Sequence, residues 1–198
     1  MIPIRALRSS LFAAALLVAA SAGLLAGCAP PLIAMGAAHV TMIAVDRRST
    51  GAQLDDTAIE FKVESDAGTR WGTEIHLSVT SYNGNVLLSG EAPTPEIRAA
   101  IVEYTKKTDR VKSVYDELVV GPATDLSART NDTYITSKVK ARMIESETVK
   151  SLYVKVVTDR SVVYLMGIVS REQGDAAAKI AATTEGVARV VKLFEYTG

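Results

Sequence analysis

The chain has little chemistry of the kinds that usually betray an enzyme: one cysteine, two histidines and one tryptophan in 198 residues. A single thiol excludes an internal disulfide, so packing alone must hold the folded parts together. His39 and His76 stand near no serine, cysteine or carboxylate in a catalytic spacing, and there is no G-x-S-x-G, Walker loop or H-E-x-x-H run. Metal-ligand spacing is absent too. We therefore expect no catalytic residue, no metal and no cofactor. The paired carboxylates Asp55-Asp56 and Asp116-Glu117 are read as solvated caps or edges, because adjacent side chains point apart. An excess of charge is also missing, since 22 Lys and Arg balance 22 Asp and Glu; this argues against a nucleic-acid partner. No segment beyond Leu25 supplies the roughly twenty apolar residues of a membrane span.

What is present begins at the amino terminus. Arg5 and Arg8 precede an uncharged apolar run, Leu11 to Leu25, and small residues then lead to the sole cysteine as Leu25-Ala26-Gly27-Cys28. A positive start, a short apolar run and small residues make residues 1–27 a signal peptide. Its ending resembles the bacterial lipobox, which implies cleavage before Cys28 and acylation of that residue. Two or three acyl chains anchor a protein stably where one does not. Ala29, rather than aspartate, follows the cysteine; by resemblance to Gram-negative lipoproteins this implies the outer membrane. Residues 28–54 read as a tether, uncharged from Pro30 to Val45, which as a coil reaches on the order of 28 Å.

The mature chain carries an internal repeat. Asp56-Thr57-Ala58-Ile59-Glu60-Phe61-Lys62-Val63 matches Asp132-Thr133-Tyr134-Ile135-Thr136-Ser137-Lys138-Val139 at an offset of 76, and Val86 to Gly90 matches Val163 to Gly167 at 77. Two copies of about 66 residues, 55–120 and 131–198, are joined by a Gly-, Pro-, Ser- and Thr-containing linker, 121–130. In the second copy Ile135, Val139 and Met143 form one apolar stripe of a helix capped by Asn131 or Asp132. A hairpin turning at Asp159-Arg160-Ser161 follows, then a helix with a Ser170/Gln173 capping box, then a strand to Tyr196. In the first copy Asn83-Gly84 makes the hairpin turn, and Thr94 and Pro95 open the second helix. Gly68 and Gly72 are expected to break the first helix, leaving Trp71 in a loop as a lid over the core or as a partner contact. Each copy is thus α-β-β-α-β, an α+β fold with two helices on one face of a three-stranded sheet.

One surface pattern suggests a ligand. Tyr134, Lys138 and Arg142 recur every four residues, an aromatic ring followed by two cations, which suits the surface of an anionic bilayer. The charge balance agrees: residues 28–120 carry 9 basic and 13 acidic side chains, residues 122–198 carry 11 and 9.

The repeat, the lipobox and the strand-end glycines Gly90 and Gly167 resemble tandem BON domains of bacterial envelope lipoproteins, and the likeness extends from Asp46 through nearly the whole mature chain. It implies that the first helix of the second domain engages anionic phospholipid, with Tyr134, Ile135, Lys138 and Arg142 as the contacts; the family has tryptophan at the aromatic position. It also implies a role in outer-membrane integrity, collection at division sites, and action near the outer-membrane protein assembly machinery. The alternative is a protein-binding adaptor that meets assembly or peptidoglycan-remodelling factors through its sheet faces or Trp71, with the anchor serving only for location.

Overall fold

The computed structural model describes residues 46–197; the signal peptide, Cys28 and the apolar stretch up to Val45 lie outside the described residues. The first repeat is α1 (Thr50–Trp71), β1 (His76–Tyr82), β2 (Asn85–Ala92), α2 (Pro95–Lys106) and β3 (Ser113–Val120). The second is α3 (Leu126–Ile144), β4 (Lys155–Asp159), β5 (Val162–Val169), α4 (Arg171–Ala182) and β6 (Arg189–Tyr196). In each sheet the middle strand pairs antiparallel with the first and parallel with the third, as β1-β2-β3 and β4-β5-β6. The expected α-β-β-α-β order is found twice.

Local chemistry explains where the helices start. The Thr94 hydroxyl accepts from Ile97 N with Pro95 in the first turn, and Ser170 and Gln173 form the expected reciprocal capping box. Two starts differ from expectation. α1 begins at Thr50, capped by Ser49, inside the stretch read as tether. α3 begins at Leu126, capped by Asp125, inside the stretch read as linker. In both cases a serine or aspartate further upstream supplies a good cap, and the uncharged and hydroxyl residues after it carry the helix without a core stripe. Gly68 does not break α1 either: it is solvent-exposed within a helix that runs on to Trp71. An interior glycine weakens a helix by only about 1 kcal/mol, which the packed stripe Ile59, Val63, Ala67 offsets. Only Gly72, at φ +56°, ends it.

The helices of each repeat cover one face of its sheet. Ile59, Val63, Val86, Leu88 and Ile101 form the first core; Ile135, Val139, Met143, Val163 and Leu165 form the second, all nearly inaccessible. The other faces meet each other. Tyr82 and Leu87 of the first sheet and Tyr164, Met166 and Leu193 of the second make a third buried cluster, so the domains pack sheet against sheet. Polar links surround it: Lys155 Nζ lies 2.8 Å from Glu60 Oε1, Asn83 Nδ2 donates to Glu195 at 3.0 Å, and Tyr164 donates to Glu117 at 3.3 Å. Burial, then the Glu117 carboxylate, pushes the Tyr164 hydroxyl well above its ordinary value. The paired carboxylate Asp116-Glu117 is therefore divided, Asp116 going to Arg98 on its own domain and Glu117 to the interface. Leu87→Asp is expected to separate the domains, because it places a charge where about 2–3 kcal/mol of apolar burial now acts. The check is a larger radius of gyration by small-angle scattering with the helical circular dichroism retained.

The segment ahead of α1 straps both domains. Arg48, its side chain 14% exposed, bridges Asp46 and Asp56 at 2.7 and 2.8 Å and stacks 4.1 Å over the Tyr82 ring. Arg47 stacks on Tyr153 of the second domain and donates to Ile168 O at 2.8 Å. Asp56 is 2% exposed, not a solvated cap. Its carboxylate accepts from the Ser81 hydroxyl and from Asn83 N and Gly84 N, tying α1 to the hairpin turn. Asp132, one repeat later, does the same for Arg160 N and Ser161 N, both at 2.8 Å. There the turn puts two non-glycine residues at φ 51° and 60°. The carboxylate compensates for the 1–2 kcal/mol or so that a left-handed backbone costs each of them. Glu60 and Glu64 add acceptors for Ser81 N and Val79 N on the open edge of β1.

Candidate membrane-binding helix face

The structure separates the four residues expected to touch lipid. Tyr134 projects into solvent, 61% exposed. Lys138 Nζ sits 4.6 Å from the centre of that ring and 3.8 Å from the Glu185 carboxylate, so ring and cation form one unit. Ile135 does not belong with them. It is fully buried in the second core, one residue and about 100° round the helix from Tyr134, and cannot meet a bilayer without unfolding the domain. Arg142 is also otherwise employed: its guanidinium donates to Ile180 O at 2.9 Å, Thr184 Oγ1 at 2.7 Å and Thr183 Oγ1 at 3.1 Å, holding the last turn of α4. A cation there also favours the negative end of the helix dipole. Cys28 lies outside the described residues. Trp71 is half-buried and packs against the first core, at the end of α1 rather than in a loop.

Sequence reading missed the rest of the exposed face. Leu126 and Ile144, at opposite ends of α3, are 74% and 71% exposed. Between them Thr130, Tyr134, Ser137 and Ala141 continue an outward lane with no charge in it. At 100° per residue, Lys138 flanks this lane on one side and Arg129 and Lys140 on the other. An uncharged lane bordered by long cationic side chains is the arrangement of helices that lie in a bilayer interface, where the charged tips reach headgroups while the lane meets the acyl boundary. The clue in the sequence was a pair of apolar residues off the core stripe. Leu126 was hidden because the helix was expected to start five residues later.

Beside the lane, a cleft of about 450 Å³ opens between α3 and the edge of β1, lined among others by His76, Ser78, Arg129, Thr136, Lys140 and Asp159. His76 pairs at 2.9 Å with Glu91, which is 2% exposed and also accepts from Thr124 N at 3.0 Å and from the Thr124 hydroxyl. Burial alone raises the Glu91 carboxyl, but the two Thr124 hydrogen bonds and His76 outweigh it and hold the group below its ordinary value. This network fixes the interdomain linker, and with it the start of α3, against the first domain.

The BON domain model matches residues 55–122 and 131–198. Outer membrane lipoprotein DolP of Haemophilus influenzae is 36% identical over 174 residues, 87% of this chain and 90% of that protein. The 21 kDa hemolysin of Actinobacillus pleuropneumoniae is 33% identical over 77% of this chain and 79% of its own length. Osmotically-inducible protein Y of Escherichia coli is 36% identical over 71% and 72%.

Proposed function

Because this chain belongs to the BON-domain family, as a two-domain lipoprotein anchored on the periplasmic face of the outer membrane, we propose that it acts by binding anionic phospholipid through the exposed face of α3, without catalysis, and so supports envelope integrity. The observation that carries this reading is Tyr134, exposed in an uncharged lane with Lys138 against its ring. Tyrosine is an interface residue, apolar in body and polar at its tip. Lys138, Lys140 and Arg129 supply the attraction to headgroup phosphate, at about 1 kcal/mol for each cation near the surface. That alone binds weakly. The acyl anchor turns the contact into an intramolecular one, for which weak binding suffices. Arg142 contributes through the shape of the second domain, and Ile135 through its core.

The test is titration of residues 46–198 with vesicles containing phosphatidylglycerol. Tyr134→Glu is expected to lower binding about tenfold or more, a change of at least about 1.4 kcal/mol, with the melting temperature little changed because the ring is mostly exposed and stands outside the core cluster of the second domain. Equal binding by the variant would overturn the reading.

A further inference from the structure

The two sheets do not close on each other evenly. Alternation places His76, Ser78, Thr80 and Tyr82 of β1 on the face turned to the second domain, with Leu87, Ser89 and Glu91 of β2 beside them. At one end Tyr82 and Leu87 fill the interface together with Tyr164 and Met166. Towards the other end stands the cross-strand pair Ser78 and Ser89, whose short side chains leave the gap open. The cleft of about 450 Å³ beside α3 is the space they leave, and it falls within the range of small-ligand sites, about 300–1,000 Å³.

Its lining is rich in hydroxyl groups, and most of them are already engaged. Thr133 and Ser137 donate to carbonyls of α3, and Thr136 donates to Thr158. Ser89 differs. It is 1% exposed, lines the cleft, and its hydroxyl has no hydrogen-bond partner among the described residues. A buried hydroxyl normally has a partner, so this one awaits a bond from whatever enters. Asp159 is an acceptor in the same space: burial, then Glu91 and Asp132, raise its carboxyl despite a bond from Gly90. A further donor would favour its charged form. His76, whose Nδ1 faces Glu91, keeps Nε2 for a ligand.

Positive charge is confined to the rim. Arg129, Thr133 and Lys140 lie within about 40° of one another round α3, and Leu126 and Ile144 come between that flank and Tyr134. Arg129 is held through Nε by Thr124 O at 3.0 Å, which leaves its two terminal nitrogens, and Lys140 is exposed. Deeper in, Asp159 and Asp132 (the latter bound to the amides of Arg160 and Ser161) repel an anion but accept from a hydroxyl. A ligand that suits both zones is negative at one end and carries uncharged hydroxyls at the other.

We propose that this cleft reads the headgroup of the lipid that α3 binds, taking a glycerol ester of phosphate with its phosphate at the cationic rim and its hydroxyls at Ser78, Ser89 and Asp159. The exposed Leu126 and Ile144 beside the rim favour a lipid over a dissolved ester, because acyl chains would cover them. The inference rests on the proposed lipid binding by α3 and adds a choice among lipids of equal charge.

The test uses the full mature chain with Cys28→Ser, so that no acyl anchor holds it. It is titrated with phosphatidylcholine vesicles containing equal fractions of phosphatidylglycerol or of phosphatidylpropanol, which has the same phosphodiester charge and no headgroup hydroxyl. The parent is expected to bind phosphatidylglycerol about fivefold more tightly, the size of one net hydrogen bond. The double variant Ser78→Ala, Ser89→Ala is expected to bind both lipids alike, with the parent's melting temperature. Equal binding of the two lipids by the parent, a comparison that needs no variant, overturns the headgroup cleft and leaves the α3 reading standing. A preference that survives in the double variant overturns the assignment to these serines. Dissolved glycerol phosphate is the arm for a soluble ligand: if it shifts the His76 ring resonances while vesicles show no preference, the lipid source is overturned. Binding to neither vesicle overturns both readings.

Discussion

Replacing Gly90 by alanine is expected to destabilise the first domain by roughly 2–5 kcal/mol, the combined size of a forced steric overlap and a left-handed backbone. Gly90 sits at φ +112°, and a Cβ there would lie 2.0 Å from the carbonyl oxygen of His76 on the neighbouring strand. That atom is backbone in a paired strand and has nowhere to go. The second domain repeats the arrangement: a Cβ on Gly167 would lie 2.2 Å from Tyr153 O. Both glycines therefore mark where the chain entering or opening the first strand of each sheet passes too close to the second strand for any side chain. For a domain of about 66 residues the loss corresponds to a fall in melting temperature of about 4–8 °C per kcal/mol. Differential scanning calorimetry of Gly90→Ala beside Gly121→Ala, whose Cβ would meet nothing within 4 Å, separates this from a general effect of glycine replacement. A variant as stable as the parent would refute the steric account.

Asp56→Ala should cost a similar amount, about 3–5 kcal/mol, the range for removing one partner of a buried ion pair. The loss leaves Arg48, the Ser81 hydroxyl and the N–H groups of Asn83 and Gly84 without their acceptor. Four donors lose one carboxylate, and each buried unpaired group carries its own desolvation penalty. The same residue gives a pH signature. Burial raises the Asp56 carboxyl, but the bonds from Ser81, Gly84, Asn83 and Arg48 outweigh burial and hold it below the ordinary carboxylate value. A carboxylate lowered in the folded state adds stability that is complete above its unfolded value and disappears as the pH falls through the folded one. Asp46 and Glu91 are lowered too. Asp159 opposes them: burial, then Glu91 and Asp132, raise it despite a bond from Gly90, so its penalty is relieved first on acidification. Stability is therefore expected to change little just above the ordinary carboxylate range and to fall steeply below it. Asp56→Asn should flatten that fall. Urea titrations from neutral to strongly acidic pH measure it.

How much of this was legible in the sequence depends on the kind of residue. The repeat, both hairpin turns and the capping pairs Thr94-Pro95 and Ser170-Gln173 act over a few neighbouring residues, so spacing revealed them. The helix starts at Thr50 and Leu126 were missed because no apolar periodicity marks their first turns. Asp56 and Asp132 look like surface carboxylates in sequence, since their partners lie 25 to 29 residues away across the domain. Arg142 misled for the same reason: its spacing from Tyr134 and Lys138 is that of a stripe, but α4 captures it. Ile135 illustrates the narrowness of a helix face, since it adjoins Tyr134 in sequence and belongs to the opposite environment. The interface of the two sheets had no sequence signature beyond the runs Val86-Leu87-Leu88 and Val163-Tyr164-Leu165-Met166, which are apolar on both faces of the two middle strands.

The acceptors that Glu60, Glu64 and Asp56 offer to β1 have a consequence for solubility. A bare outer strand invites any extended polypeptide to zip onto it, the first step toward fibrils or clumping. Here three carboxylates occupy the outward amides of Val79, Ser81 and Asn83, so a passing chain finds those docking points taken. The same acids that tie α1 to its sheet thus also seal the rim of the sheet against unwanted recruits.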